Sequence, residues 1–330
     1  VPTNWYAAWS DSAFWATNAP SGHFDTPSSL CPTALAETIR NVLVEPPDRV
    51  IEVGTGEGIL LAELGRMWPA ARLDGVDLRP PAVSGGPADP RWWAGAWDTR
   101  TECWSGELTQ LVGELSGRVL LIAIEWLDDL PCHVLGDGST ELEDADRDWL
   151  DRWWPSGARR EVGRTRDRAW AWWAARLPAG STLVTVDYGH TLATRPAEGS
   201  FTGFRAGRAV TPTPEDADRT NLTAAVAVDS LAAEVEQLGC RRLALHQLMD
   251  LPEPASAGAG LDALTRRSQH AVLRDPARFG PFWLIAHQVA PQTDALLISP
   301  RDQECTAGHH TQGEAACRGD AEWGAGTMTR

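Results

Sequence analysis

The sequence predicts an α/β fold, a mostly parallel sheet with helices on both faces, and three observations predict it. Short apolar runs of strand length recur along the chain, stretches with helical spacing separate them, and one strand-to-helix junction is crowded with glycine. Strands that alternate with helices are joined by crossovers, which make neighbours parallel and cover both sheet faces. Open sheets of this kind bind ligands beyond the carboxyl ends of their strands, where the glycine-rich junction falls.

The elements follow in order. Residues 1–45 form an N-terminal helical cap, rich in aromatic and small residues, with "GHFDTPS" at 22–28 and a helix over 31–43 that Pro46 and Pro47 end. "RVIEV" at 49–53 is a short β-branched strand, and "ILLAELGRMW" at 59–68 has helical spacing, with Ile59, Leu60, Leu61 and Leu64 on or near one face. "RLDGVDL" at 72–78 is a second strand, and "RWWAGAW" at 91–97 a third after a Pro/Gly-rich turn at 80–90. "GRVLLIAIEWL" at 117–127 reads as a fully buried fourth strand. A polar, acidic stretch at 136–151 then interrupts the pattern, within an insertion near 132–168. "DRAWAWWAARL" is a helix, "STLVTVDYG" at 181–189 a fifth buried strand, and a loop-rich insertion spans about 190–228. A helix near 229–238, the strand "CRRLALHQL", a linker "PEPASAGAG", another helix and the edge strand "PFWLIAHQV" complete a core of 46–290. From 291 to 330 the apolar pattern fades, and a disordered tail is expected.

Composition narrows the class. With 43% hydrophobic and 22% charged residues the chain can bury a sizeable core. No apolar run reaches the roughly 18–20 residues of a membrane span, and no basic-then-apolar leader opens the sequence, so a cytoplasmic location away from membranes is expected. The net charge is −16, lysine is absent, and the arginine pairs are scattered, which argues against nucleic acid as a partner. Six cysteines are widely spaced without a C-x-x-C and are expected as reduced thiols. The tail's Cys305, His309, His310 and Cys317 match no common zinc spacing, so no metal is expected.

The junction reads "EVGTGEG", with Glu52 before Gly54, Gly56 and Gly58. A dinucleotide fingerprint wants G-x-G-x-x-G, but Ile59 stands where its third glycine would fall. Carboxylates at Glu52 and Glu57 would repel a pyrophosphate and suit a ligand carrying a cationic amino-acid portion. Asp77, 23 residues after Gly54, ends the second strand, where an acid can accept bonds from ribose hydroxyls.

This "EVGTGEG … GVD" arrangement resembles the first two motifs of class I S-adenosylmethionine-dependent methyltransferases, a Rossmann-like fold. In that family the acidic glycine loop holds the methionine and ribose portions of the donor, and the later acid holds the ribose. The resemblance implies S-adenosyl-L-methionine as cofactor, with Glu52, Gly54, Gly56, Gly58 and Asp77 around it. It also implies Asp98, just after the third strand, near adenine, and Thr26, with His23, closing over the donor. "GHFDTPS", "IEWLDDLPCHVL", "LVTVDYGH" and "GSFTGFRAGRAV … NLTAAV", in that order across about residues 5–290, are similar to the MidA-like methyltransferases. These are bacterial relatives of the mitochondrial protein arginine methyltransferase that assists complex I assembly. Ile124 stands where that family has asparagine, Phe204 where it has tyrosine, and Ala225 and Ala227 where it tends to have histidine and aspartate. Those departures are expected near the acceptor pocket.

The resemblance implies methyl transfer to a protein arginine side chain. A guanidinium stays protonated and needs carboxylates to hold it. Glu125 and Asp128, in "EWLDDLP", are the candidates, and Asp187–Tyr188 could line the same cleft. A small-molecule acceptor in a remodelled pocket, or a catalytically silent cofactor-binding assembly factor, are the competing readings. Adjacent tryptophans such as Trp92–Trp93, Trp153–Trp154 and Trp172–Trp173 are expected as core plus interface, ahead of an aromatic acceptor cleft.

Overall fold

The computed structural model describes residues 4–18, 25–79, 90–106, 108–136, 142–252 and 260–291. The main sheet runs through β1 (Arg49–Val53), β2 (Arg72–Asp77), β3 (Arg91–Ala94), β4 (Val119–Ile124), β5 (Thr182–His190), β6 (Arg241–Gln247) and β7 (Phe282–Gln288). Their spatial order is β3–β2–β1–β4–β5–β7–β6, and a short strand, Val226–Ala227, pairs beside the end of β5. β1, β2, β3, β4 and β5 are mutually parallel, while β7 lies antiparallel between β5 and β6. Chain order reverses at β1, whose neighbours are β2 and β4, so the crevice beyond its carboxyl end is the switch point.

Alternation along the strands builds two cores. Ile51, Val53, Leu121 and Ala123 pack with Trp170, Trp173, Leu231 and Val235 on one face. Val50, Leu120 and Ile122 pack on the other with Leu35, Ile39, Leu60, Leu64 and Leu273. Burying each such side chain contributes about 1.5–3 kcal/mol, which holds every helix to its sheet face. At the amino ends of β1 and β2, Arg49 Nε pairs with the buried Asp74 at 2.7 Å, and Trp93 Nε1 donates to the same carboxylate at 2.7 Å.

The helix expected over 31–43 spans Pro32–Val42, with proline at its first position where a missing N–H costs nothing. Helices expected near 59–68, 167–177 and 229–238 span Ile59–Met67, Arg164–Ala174 and Val228–Gln237. Ile59, expected near the apolar face, is 39% exposed, because the 100° step per residue carries it off the Leu60–Leu61–Leu64 stripe. The interrupting acidic stretch contains a helix, Asp144–Trp153, that buries Trp149 and Leu150. The loop-rich insertion holds a three-stranded antiparallel sheet of 202–205, 208–210 and 221–223.

Cys31, Cys132 and Cys240 carry free, buried thiols, whereas Cys103 is disulfide-bonded, a departure from the expectation of reduced thiols throughout. Among the described residues no group of three or more His, Cys, Asp or Glu side chains could hold a metal ion. No described helix is long and apolar enough to cross a membrane. His23, the turn at 80–89 and the tail beyond 291, with its Cys and His residues, lie outside the described residues.

Candidate functional site

A cavity of about 730 Å³ opens beyond the carboxyl ends of β1, β2 and β4. Each strand delivers one acidic residue there: Glu52 inside β1, Asp77 ending β2, and Glu125 just after β4. The N-terminal helices Trp5–Ser10 and Phe14–Thr17, with the connection between them, contribute Trp9, Ser12, Phe14 and Trp15 to the same space. They are anchored from beneath, Ser12 Oγ donating to the Ala217 carbonyl at 2.8 Å and the Ala13 N–H to Asp218 at 2.7 Å.

The glycine loop is built for left-handed backbone. Gly54, Gly56 and Gly58 have φ of +69°, +55° and +73°, a region L side chains enter at a cost of about 1–2 kcal/mol. A Cβ on Gly54 would lie 2.9 Å from Trp126 Cδ1, and one on Gly58 would lie 2.8 Å from Trp92 Cη2. Two of the three glycines therefore make room for indoles, and Gly58 does not line the cavity. Gly56 faces the other way in function: its N–H donates to Asp77 Oδ2 at 2.9 Å, and the Arg79 N–H donates to Oδ1 at 3.0 Å. Arg79 also reaches the Asn18 carbonyl through its guanidinium.

Glu52 is buried, and its Oε2 has no hydrogen-bond partner. Burial, with the nearby Asp77 charge adding to it, raises its pKa to about 8. A cavity-lining carboxyl with an orphaned oxygen fits a ligand that brings a donor group or positive charge. Thr26 also borders the cavity, with its hydroxyl accepting the Ser29 N–H at 3.1 Å in a capping box. Asp98 does not line the cavity. Its two oxygens accept from the Arg100 N–H and the Thr101 hydroxyl, so it serves the tight turn between two short strands.

The segment after β4 forms the opposite wall. Glu125 has φ of +48° and Oε1 enclosed without a partner. Burial first, then the Asp128 charge, raises its pKa well above the usual carboxylate range. Asp128 lies behind the wall and outside the cavity lining, accepting from the Thr223 hydroxyl at 2.5 Å and from Tyr188. Its neighbour Asp129 takes the cavity-facing place, hydrogen-bonded to Asn221, with burial and Asp128 pushing its pKa far up. Asp187 is buried beneath, where its Oδ2 accepts the Leu127 and Asp128 N–H groups at 3.2 and 3.3 Å. It organises the segment without bordering the cavity.

One guanidinium stitches this wall together. Arg166, 1% exposed, donates to the carbonyls of Asp128 and Leu130 at 3.0 and 2.9 Å and to that of Ala224 at 2.8 Å. Of the four sequence departures expected near the acceptor pocket, only Ile124 lines the cavity. The Ala225 N–H instead donates to Ser200 Oγ at 2.9 Å, and Ala227 is buried against Trp149 and Trp154.

Each adjacent tryptophan pair has one buried member, Trp93, Trp154 or Trp173, and one half-buried member. The cavity's aromatic lining comes from elsewhere: Trp9, Phe14, Trp15, Trp97, Trp104 and Trp126. Trp104 and Trp126 are stacked, 5.5 Å between centroids and 10° between planes. Asp129 and this stack escaped the sequence reading. A carboxylate one place beyond the expected one, and a tryptophan directly after Glu125, were the available signals.

No protein-family model matches the chain, and no curated protein matches it by sequence. Solved structures do. A COG1565 superfamily member from Burkholderia thailandensis, a methyl transferase candidate bound to S-adenosyl-homocysteine, matches with a TM-score of 0.60 at 16% identity over 90% of each chain. An uncharacterised COG1565 superfamily protein from the same organism, in its native form, matches with a TM-score of 0.62 at 17% identity, again over 90% of each chain. The likeness establishes the fold, a Rossmann-like class I methyltransferase architecture.

Proposed function

We propose that the protein is an S-adenosylmethionine-dependent methyltransferase of the MidA-like type, acting on a cationic acceptor, by resemblance a protein arginine side chain. The observation that carries this reading is the cavity itself. A ribose-ready carboxylate and a glycine loop stand on one side, Asp77 tied to Gly56 at 2.9 Å, and two enclosed carboxyls, Glu125 and Asp129, on the other. A related fold holding S-adenosyl-homocysteine supports it.

Glu52, Gly54, Gly56 and Asp77 hold the donor in this reading, and Thr26 borders it. When bound, S-adenosylmethionine supplies a methyl group on a sulfonium whose leaving group is already good. The chain's own contribution is alignment, where effective molarities of about 10⁵–10⁸ M are attainable. Glu125 and Asp129 pair with the acceptor's positive charge and turn its nitrogen towards the methyl. Glu125 Oε1, enclosed and unpartnered, takes the proton that the nitrogen loses as the new bond forms. Burial makes its carboxylate form a stronger base than an exposed one, and the acceptor's own positive charge beside it is what holds it ionised. Asp128 and Asp187 act behind this pair as positioning residues.

Calorimetric titration with S-adenosylmethionine and with NAD, on the wild type and Asp77→Ala, tests the donor assignment. Saturable binding of the former alone, lost in the variant, is expected; binding of NAD alone would reassign the cavity. Glu125→Gln then separates an enzyme from a silent binding factor. The enzyme loses turnover on arginine-containing peptides while keeping donor affinity.

A further inference from the structure

We infer that Trp126, backed by Trp104, is the residue that recognises the positive charge of the methyl donor, so that the site holds the charged donor more tightly than its neutral product. The inference rests on the donor reading above and assigns a role to a position that the family resemblance leaves open.

Three features place Trp126 there. Its indole approaches Gly54 so closely that a Cβ on that glycine would meet Cδ1 at 2.9 Å. Gly54 opens the loop assigned to the methionine portion, and Asp77 marks the ribose. The sulfonium joins those two portions, so it falls beside the side chain that leans on Gly54. Second, the half-buried indole borders the cavity and is held by its parallel stack on Trp104, which itself tilts against Trp172 and Trp173. A ring fixed in this way costs little ordering when a ligand arrives. Third, the ionisable side chains lining the cavity are five acids, Glu52, Glu57, Asp77, Glu125 and Asp129, against one base, Arg79. A cation at the indole surface therefore stands beside acids that its charge helps to ionise, and a neutral thioether gains nothing from them.

An onium centre at an indole is attracted by the ring's quadrupole, more so when desolvated. Methyl transfer removes that charge from the donor. The same ring that grips the substrate then loses its hold on the product, which favours product release.

The test titrates the full chain with S-adenosylmethionine and with S-adenosyl-homocysteine, comparing wild type, Trp126→Leu and Trp126→Phe, with a thermal melt of each as a folding control. In Trp126→Leu the methylated donor should bind about tenfold more weakly, the weight of a partly desolvated cation–π contact, and the product should change by less than about twofold. Trp126→Phe keeps a weaker ring and should lose about two- to threefold for the donor alone. This second variant decides the matter should Trp126→Leu fail to fold. Equal weakening of both ligands would reduce Trp126 to a packing wall, and unchanged binding of both would move the sulfonium elsewhere. A folded wild type that binds neither ligand would instead bring down the donor reading, and this inference with it.

Discussion

Asp77 Oδ2 accepts the Gly56 N–H at 2.9 Å, so the end of β2 fastens the loop that leaves β1. With Oδ1 taken by the Arg79 N–H, one carboxylate sets the shape of two loops. Asp77→Ala should cost the proposed donor about 10- to 100-fold in affinity, because hydrogen bonds to a charged acceptor contribute about 1.5–3 kcal/mol. Calorimetry at constant pH reads the loss. An affinity unchanged in the variant would show that Asp77 serves the loops alone.

Gly54 tests the backbone argument. Gly54→Ala forces an L side chain to φ +69° and drives its Cβ to 2.9 Å from Trp126. The left-handed conformation alone costs about 1–2 kcal/mol, and displacement of the indole adds to it. Denaturant unfolding should show the destabilisation, and Trp126 fluorescence should shift with it. Wild-type stability in Gly54→Ala would mean that the loop relaxes freely.

Glu52 gives a pH dependence whose sign is fixed. Its folded pKa, about 8, lies above the ordinary 4.5, so the folded state binds more protons between those values than the unfolded chain. Stability therefore falls as pH rises from about 4.5 to about 8, and levels off above. Below about 4.5 the group is protonated in both states and contributes no dependence. Glu52→Gln removes this share, so it should gain stability relative to wild type as pH rises across that window, with the gap closing near pH 4. Urea melts at both ends measure it, and a gap that widens towards acid pH would reject the assignment.

Arg166 is expected to be the costliest residue to lose. Its guanidinium serves carbonyls on both the 128–130 segment and the 224–225 segment. Arg166→Leu strips the guanidinium from the buried Leu130 and Ala224 carbonyls, while the Asp128 carbonyl keeps the Ala224 N–H at 3.2 Å, at a cost of about 3–5 kcal/mol. Arg166→Lys should fall between, since an ammonium keeps the charge but cannot span the same acceptors. Chemical denaturation ranks the three, and equal stability of wild type and leucine variant would show that water replaces the guanidinium.

The glycine-loop side of the cavity was legible because it is local. β1, the loop, its helix and β2 follow one another within residues 49–77, and Asp77 reaches back to Gly56 across that short stretch. The opposite wall depends on contacts between distant segments. Trp104 meets Trp126, Asp129 meets Asn221, and Thr223 meets Asp128, none of which leaves a periodic trace. Asp128 and Asp129 are indistinguishable as letters; only the bend after β4 decides that the first is buried and the second borders the cavity. Asp98 was read from position alone, whereas the Arg100 and Thr101 donors beside it commit it to a turn. The helix Asp144–Trp153 escaped because its stripe of Trp149 and Leu150 is narrow amid acidic neighbours.

Arg166 has a consequence for how such a chain can change. It grips main-chain oxygens, which every substitution at those positions leaves in place. The side chains hung on the clamped segments can thus be exchanged while the scaffold that presents them stays put. Residues of this wall such as Asp129 and Asn221 can vary without retuning residues 49–77. Laboratory selection for a new specificity should find its tolerated variants there.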